Sequence, residues 1–178
     1  MKFRFHFGVR RCLLALLAST LCAGMPALAA EPAAEHAVRA ALVFNFIRFT
    51  EWPGNAFPEG KLVLCLASSD PEQRQALQTL AARRVRDVQI VVEPYRDGLH
   101  CDLLYVDARS RWNGLPTQTR GNHALTIGGY AGFLDDGGMI EIELLPKGPR
   151  FDINLREVRR IGLRIHPQLL RLARRIED

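Results

Sequence analysis

The sequence predicts a single three-layer α/β domain with a mixed central sheet, and three features of the chain support this. Continuous apolar runs at residues 61–67 and 101–107 are typical of strands buried on both faces. Helical patterns alternate with strands in the first half, which favours a parallel sheet there. Residues 139–144 and 151–155 instead alternate apolar and polar side chains, which indicates an added antiparallel hairpin.

The start of the chain predicts export. Of its 178 residues, 48% are hydrophobic and 24% charged, which is typical of one globular domain. The first residues carry a positive start, a short apolar run and a small-x-small cleavage pattern: Lys2, Arg4, Arg10 and Arg11, then 12–23, then Ala27-Leu28-Ala29. We therefore predict a secretory signal peptide at 1–29 and a periplasmic mature domain at 30–178. An uncleaved anchor is the alternative, but a membrane span needs roughly 20 apolar residues.

Cleavage changes the charge and the cysteine count. The mature chain has 20 Lys and Arg against 19 Asp and Glu, so we expect no nucleic-acid partner. Only Cys65 and Cys101 remain, and in an exported domain two cysteines favour a disulfide bond. Two buried thiols or a redox pair are the alternatives, although no CxxC spacing is present.

The remaining elements follow in order along the chain. A helix is expected over 37–53, with an apolar face formed by Val38, Ala41, Leu42, Asn45, Phe46 and Phe49. Ser69 or Asp70 is expected to cap a helix over 71–82 that begins at Pro71. Strands are predicted at 61–67, 88–92, 101–107, 124–128 and 139–144, the last one half-exposed. A short helix over 156–162 capped by Asn154 and a final helix from Pro167 to the C-terminus complete the domain.

No catalytic, metal or cofactor site is predicted. His36, His100, His123 and His166 lack the spacing of a metal site. Ser68-Ser69 follows a strand but is better explained as part of a helix cap. Residues 128–132 form a glycine-rich turn after a strand, without the GxGxxG pattern of a nucleotide loop. We therefore expect a protein that is not an enzyme.

Three residues are candidate ligand contacts. Asn45 lies on the predicted apolar face, where its amide needs a partner: a structural tie to a loop or a ligand. Arg164 and His166 alternate with Leu163 and Ile165, so they face the opposite side of an extended segment. With the start of the final helix they form a candidate site for a small anion. The alternative is that Arg164 pairs with an acid and His166 caps the helix.

The C-terminal apolar residues are a candidate partner interface. Docking of the final helix onto the domain's own sheet is the alternative. The residues proposed to contact a partner are Leu163, Ile165, Leu169, Leu170, Leu172 and Ile176.

Three blocks of sequence resemble the YfiR-like periplasmic proteins. They are residues 38–46 with 49–53; residues 125–128, 132–133 and 137–140; and residues 150–155 and 162–165 with Leu169, Leu170, Leu172 and Ala173. The resemblance implies a regulator that binds the periplasmic sensor region of an inner-membrane, YfiN-like diguanylate cyclase and holds it inactive. It also implies an outer-membrane YfiB-like protein that sequesters the regulator, an effect on biofilm formation, and a homodimer. Cys65 and Cys101 match one cysteine pair of the family, whereas a second pair is missing here.

Overall fold

The computed structural model of the chain describes residues 32–54, 56–121 and 124–178. The predicted signal peptide at 1–29 and His123 lie outside the described residues. The helices are α1 (Pro32–Phe49), α2 (Pro71–Gln78), α3 (Arg109–Gly114), α4 (Thr117–Gly121), α5 (Leu155–Arg160) and α6 (Pro167–Leu170), with a 3₁₀ turn at Thr79–Ala82. The strands are β1 (Thr50–Glu51), β2 (Lys61–Ala67), β3 (Arg84–Val85), β4 (Val88–Pro94), β5 (Leu103–Val106), β6 (Leu125–Gly128), β7 (Ile140–Leu145), β8 (Gly148–Asn154), β9 (Arg164–Ile165) and β10 (Arg175–Glu177).

The predicted mixed sheet is confirmed. Its strand order is β10-β8-β7-β6-β5-β2-β4-β3, which the sequence did not indicate. The strands from β4 to β7 in that order are parallel, and β8 is antiparallel to β7 as predicted. Two short edge strands were not expected: β3 forms a hairpin with β4, and β10 runs parallel to β8. A separate two-stranded ladder joins β1 to β9.

Alternate side chains of the parallel strands face two different layers of the domain. Leu64 and Tyr105 pack with the apolar side of α1 and α2, whereas Cys65 and Leu104 face the opposite side. Trp112 of α3 and the Phe133 ring cover that second side, with their ring centroids 4.9 Å apart. The two cores explain why residues 61–67 and 103–106 are apolar without alternation.

The caps of α2 and α5 form as predicted. Asp70 accepts hydrogen bonds from the backbone N–H groups of Glu72 and Gln73, and Pro71 occupies the first turn of the helix. The Asn154 side chain accepts from the backbone N–H of Glu157. These contacts satisfy N–H groups that the first turn of a helix leaves without partners.

The predicted apolar face of α1 is only partly correct, since Phe46 is buried and Leu42 and Phe49 pack against the core. Its buried residues are Ala40, Val43, Phe46 and Ile47, whereas Val38 and Ala41 are exposed. Because apolar residues occur on most sides of this helix, the periodicity alone does not select the buried face. The helix also ends at Phe49 and not at Pro53, since Thr50 pairs with β9 and its hydroxyl donates to the Phe46 carbonyl at 2.7 Å.

The strand predicted at 139–144 is buried along its first half, and not half-exposed. Glu141 faces the interior, where its carboxylate accepts a hydrogen bond from the backbone N–H of Leu134 at 3.2 Å. Strand β7 lies between β6 and β8, so both of its faces are covered near Ile140. The alternation of charged residues therefore did not reveal its position inside the sheet.

The predicted C-terminal helix is wrong beyond its first turn. Helix α6 has four residues, and the chain then extends into β10. The Arg174 guanidinium forms a two-pronged contact with Asp152 of β8, at 2.9 and 2.6 Å, and also reaches Glu143 of β7 at 2.5 Å. The Asp152 side chain is buried and needs a charged partner. The ion pair with Arg174 therefore stabilises residues 175–177 as an edge strand and not as a continuation of α6.

Candidate functional site

Arg164 and His166 lie on the same exposed side of β9, as their alternation predicted. Leu163 and Ile165 point to the opposite side and are buried. Arg164 lies across the ladder from Glu51 but forms no ion pair with any described residue. A guanidinium and an imidazole are therefore presented together on the surface.

The His166 ring has a capping role that limits what it can bind. Its Nδ1 atom accepts a hydrogen bond from the backbone N–H of Gln168 at 3.2 Å, and its own backbone N–H donates to the Phe49 carbonyl at 2.8 Å. Only Nε2 is therefore left to face a ligand. Helix α6 is a single turn, so the helix dipole that the sequence suggested for an anion contributes little.

Asn45 is half-buried and not part of the buried face of α1. Its side chain makes no hydrogen bond to any described residue, so the structural tie considered above is not present there. Asn45 lies one helical turn before Phe49, whose ring centroid is 6.0 Å from that of His166. The α1 surface bearing Asn45 thus leads toward the Arg164 and His166 side chains.

The residues predicted to contact a partner divide into two groups. Leu163, Ile165 and Leu169 belong to the domain's own core. Leu170 is half-buried, whereas Leu172 is 69% exposed and Ile176 is 43% exposed. We call these last three residues the C-terminal apolar patch. It comprises the predicted interface residues that have side-chain surface available to a partner.

Cys65 and Cys101 form the predicted disulfide bond. Their Cα atoms are 5.7 Å apart, and the bond links the middle of β2 to the segment that enters β5. Both cysteines are buried in the second core. Since β2 and β5 are neighbours in the sheet, the bond links two adjacent strands.

The two other motifs considered from the sequence have structural roles. The Ser68 hydroxyl donates to Asp107 Oδ2 at 2.7 Å, and no histidine of the described residues hydrogen-bonds to it. The turn after β6 packs the Phe133 ring against glycines, since a Cβ atom at Gly128 or Gly138 would lie about 2 Å from that ring. Ser68 and the glycine-rich turn therefore have structural roles, and these contacts do not require Ser68 to be a nucleophile or the turn to bind phosphate.

A polar cluster between α1 and α2 was not predicted. His36 lies 3.2 Å from Asp70 and 3.4 Å from Glu72. Arg39 Nε and both amide atoms of the Gln73 side chain are buried without a hydrogen-bond partner among the described residues. The signal in the sequence was weak, because the burial of Gln73 depends on how α1 and α2 pack together.

Burial also affects the tyrosine beside this cluster. Tyr105 is almost fully buried at the end of β5, and desolvation raises the pKa of its hydroxyl well above the usual value, against an opposing effect of the Arg39 charge. The hydroxyl is therefore neutral at physiological pH. Within the part of the chain that the structure describes, no three His, Cys, Asp or Glu side chains are grouped to hold a metal ion. No helix there is long and apolar enough to cross a membrane.

Comparison with known proteins identifies the family. The sequence model of the DUF4154 family, described as YfiR/HmsC-like, matches residues 36–174. The chain belongs to the YfiR/HmsC-like family. The match extends from the first part of α1 to the arginine that anchors β10, and thus includes the β9–α6 region and both cysteines. Proteins of this family are periplasmic regulators in cyclic di-GMP signalling.

Other comparisons add little. No curated protein matches the chain significantly. Among solved structures, an ABC domain in complex with L-Trp from Streptococcus pneumonia is similar with a TM-score of 0.45 and 12% sequence identity. The alignment covers 65% of this chain and 56% of that one, so the chain spans little more than half of its length. A similarity of this degree supports no statement about ligand or function.

Proposed function

We propose that the protein is a periplasmic repressor of an inner-membrane diguanylate cyclase and that it acts by binding the cyclase's periplasmic sensor region. The observation that carries this proposal is the family match over residues 36–174. The cyclase partner resembles YfiN, and an outer-membrane YfiB-like protein is the expected antagonist that sequesters the repressor. A homodimer is a further expectation of the same proposal.

Repression requires that the protein binds the inactive cyclase more tightly than the active one. A tenfold bias corresponds to only about 1.4 kcal/mol of differential affinity. The C-terminal apolar patch offers surface for such a contact, because Leu172 is the most exposed large apolar side chain of the described residues.

Gene deletion combined with one charged substitution tests this proposal. We expect cyclic di-GMP to rise when the gene is deleted and to fall again when the wild-type protein is restored. Leu172→Glu should fail to restore repression, since a charge in an apolar contact is costly to desolvate. Leu145→Glu is the matched control, because Leu145 is also exposed but lies at the β7–β8 turn. Unchanged cyclic di-GMP in the deletion strain would rule the proposal out.

A second candidate function is sensing of a small anionic ligand, in concert with a kinase or a transporter. It rests on the exposed pair Arg164 and His166, on the absence of an ion pair at Arg164 among the described residues, and on the unpartnered Asn45 amide. Small carboxylates screened by thermal shift should stabilise the wild-type protein and not Arg164→Ala. Arg150→Ala is the control, since Arg150 is also exposed without an ion pair among described residues. Identical ligand responses of wild type and Arg164→Ala would exclude this site.

A further inference from the structure

Four arginines surround Phe44 near the β3 edge of the sheet, which is the edge opposite to β10. The Cζ atoms of Arg83 and Arg48 lie 4.5 and 5.9 Å from the centroid of the Phe44 ring. Arg48, Arg84 and Arg86 line a groove of about 360 Å³ together with the same ring. We call the five residues Phe44, Arg48, Arg83, Arg84 and Arg86 the arginine groove.

The arginines of the groove are not paired with carboxylates of the described residues, although Asp87 adjoins Arg86 in the same turn. None of its four guanidinium groups forms an ion pair with a described residue, whereas Arg109, Arg111 and Arg174 each do. Arg84 donates one hydrogen bond, to the backbone carbonyl of Asp87 at 2.7 Å. Stacking on Phe44 explains where Arg48 and Arg83 lie, but it does not balance four neighbouring positive charges. A cluster of arginines without ion pairs attracts anions.

Arg86 is also held in an unfavourable backbone conformation. Its φ angle is +54°, and it is the only described residue other than glycine with a positive φ. It occupies the first position of the two-residue turn between Val85 and Val88, where asparagine or glycine is normally preferred. Strained residues of this type concentrate at binding sites. Arginine at this position of the turn costs backbone strain that glycine would avoid.

A second cavity adjoins the groove and has a different character. It has a volume of about 290 Å³, shares Val85 and Arg86 with the arginine groove, and is lined by Ile47, Trp52 and Phe57 among others. The Trp52 Nε1 atom is buried and has no hydrogen-bond acceptor among the described residues. An open cavity lined mainly by apolar residues, together with Thr50 and Arg86, thus lies next to a strongly cationic groove.

We propose that the arginine groove binds the phosphate of an amphiphilic phosphoester whose apolar body enters the Trp52 cavity. A guanidinium group pairs with phosphate through two parallel hydrogen bonds, and phosphate offers enough oxygen atoms to serve several arginines at once. A phosphomonoester has three terminal oxygen atoms and up to two negative charges to share among the four arginines, whereas a carboxylate or a phosphodiester has only two such oxygen atoms and one charge. The ligand is a phosphomonoester, carried either by a lipid headgroup or by a free amphiphile, and its recognition does not depend on the proposed repressor function.

Hexyl phosphate is the first probe, titrated calorimetrically into the mature protein. We expect Arg48→Ala/Arg84→Ala to weaken binding about tenfold or more, since charge-assisted contacts are lost. The matched control is Arg150→Ala/Arg156→Ala, which removes two exposed arginines elsewhere and should change the affinity less than twofold. Equal weakening in both double variants would show mere charge attraction and overturn the proposal. Hexanoate binding as tightly as hexyl phosphate would overturn the phosphate assignment.

Arg86→Gly separates loss of the site from loss of the fold. Glycine adopts the positive φ without strain, so the melting temperature should stay equal or rise while hexyl phosphate binding weakens severalfold. Unchanged affinity in this variant would contradict a role for Arg86 in the groove.

Vesicles identify the source of the phosphate. Co-sedimentation with phosphatidate vesicles but not with phosphatidylcholine vesicles, abolished by Arg48→Ala/Arg84→Ala, would identify a lipid headgroup. Hexyl phosphate binding without vesicle binding would identify a free phosphoester. Binding of neither probe overturns the proposal.

Discussion

Single polar side chains fix several junctions of this domain, and Asp70 is the clearest example. Its carboxylate caps α2 and lies beside His36. The backbone hydrogen bond from Gln73 lowers the pKa of Asp70 most, and the bond from Glu72 and the charges of His36 and Arg39 add to it against the opposing effect of burial. Because the pKa of Asp70 is lower in the folded state, its ionised carboxylate stabilises the fold at pH values above the unfolded pKa of about 4. That stabilisation is lost as the pH falls through the folded pKa.

Replacement of Asp70 tests this cap. We expect Asp70→Ala to reduce the free energy of unfolding by about 0.5–2 kcal/mol at pH 7. The difference from wild type should shrink at pH 3, because this pH lies below the unfolded pKa and the stabilisation declines as the pH falls toward the folded pKa. Urea denaturation at both pH values measures it. Glu59→Ala is the control, because Glu59 is exposed and pairs only with Lys61 at 3.7 Å, and it should cost less than about 0.5 kcal/mol. Equal stability of Asp70→Ala and wild type at pH 7 would refute the capping role.

At the scale of elements, the C-terminal segment shows how an ion pair overrides a local pattern. Residues 167–178 have apolar residues at helical spacing, yet only the first turn is helical and β10 completes the sheet edge. The hydrogen bonds to Asp152 and Glu143 raise the pKa of Arg174, so its guanidinium is charged at any pH near neutrality. Without Arg174, the Asp152 carboxylate, which is 2% exposed, would keep only a longer contact with Arg175, whose Nε atom lies 3.6 Å from Asp152 Oδ2.

Arg174→Met tests the anchoring of β10. We expect it to lower the free energy of unfolding by about 2–4 kcal/mol, because Asp152 loses its main partner in a buried position. Backbone amides of 171–178 should also exchange faster with deuterium. Arg171→Met is the control in the same segment, since Arg171 forms no ion pair with a described residue, and it should change stability little. Recovery of stability in Asp152→Leu/Arg174→Met would assign the loss to the unpaired carboxylate, whereas unchanged exchange in Arg174→Met would contradict the anchor.

On the scale of the whole molecule, the disulfide bond and the sheet order act together. Cys65 lies on β2 and Cys101 precedes β5, and these strands are neighbours although 36 residues separate the two cysteines. Between them the chain passes through α2, β3 and β4 on the far side of β2. In the native sheet the two cysteines are already neighbours, so the bond constrains the folded chain little. In the unfolded chain it closes a long loop and so reduces conformational freedom.

Removal of this bond tests its contribution to stability. We expect Cys65→Ala/Cys101→Ala to reduce the free energy of unfolding by about 3–4 kcal/mol, mainly because the unfolded chain gains conformational freedom. Denaturant titration measures the change, and the mass of the wild-type protein should be two hydrogens below that of its reduced form. Ready alkylation of both cysteines without reductant would contradict the bond.

The local sequence was sufficient to predict a cap or a strand where residues distant in sequence do not change the conformation that the segment prefers. Asp70-Pro71, Asn154 and the alternating residues 151–155 each specify their cap or strand through contacts within a few residues. The same holds for the alternation that places Arg164 and His166 on one side and Leu163 and Ile165 on the other. The resemblance carried by residues 38–53, 125–140 and 150–173 likewise predicted the family without any knowledge of the fold.

Tertiary structure decided the features that depend on distant residues. The buried face of α1, the strand at 175–177 and the ladder between β1 and β9 all result from contacts across long sequence separations. The arginine groove has the same origin, since Arg48 and Arg84 meet only when α1 lies against the β3 edge. Local preferences amount to fractions of a kcal/mol per residue, whereas burial and ion pairing at a contact amount to several. The sequence therefore determined the type of domain and its family, and packing determined which side chains became surface.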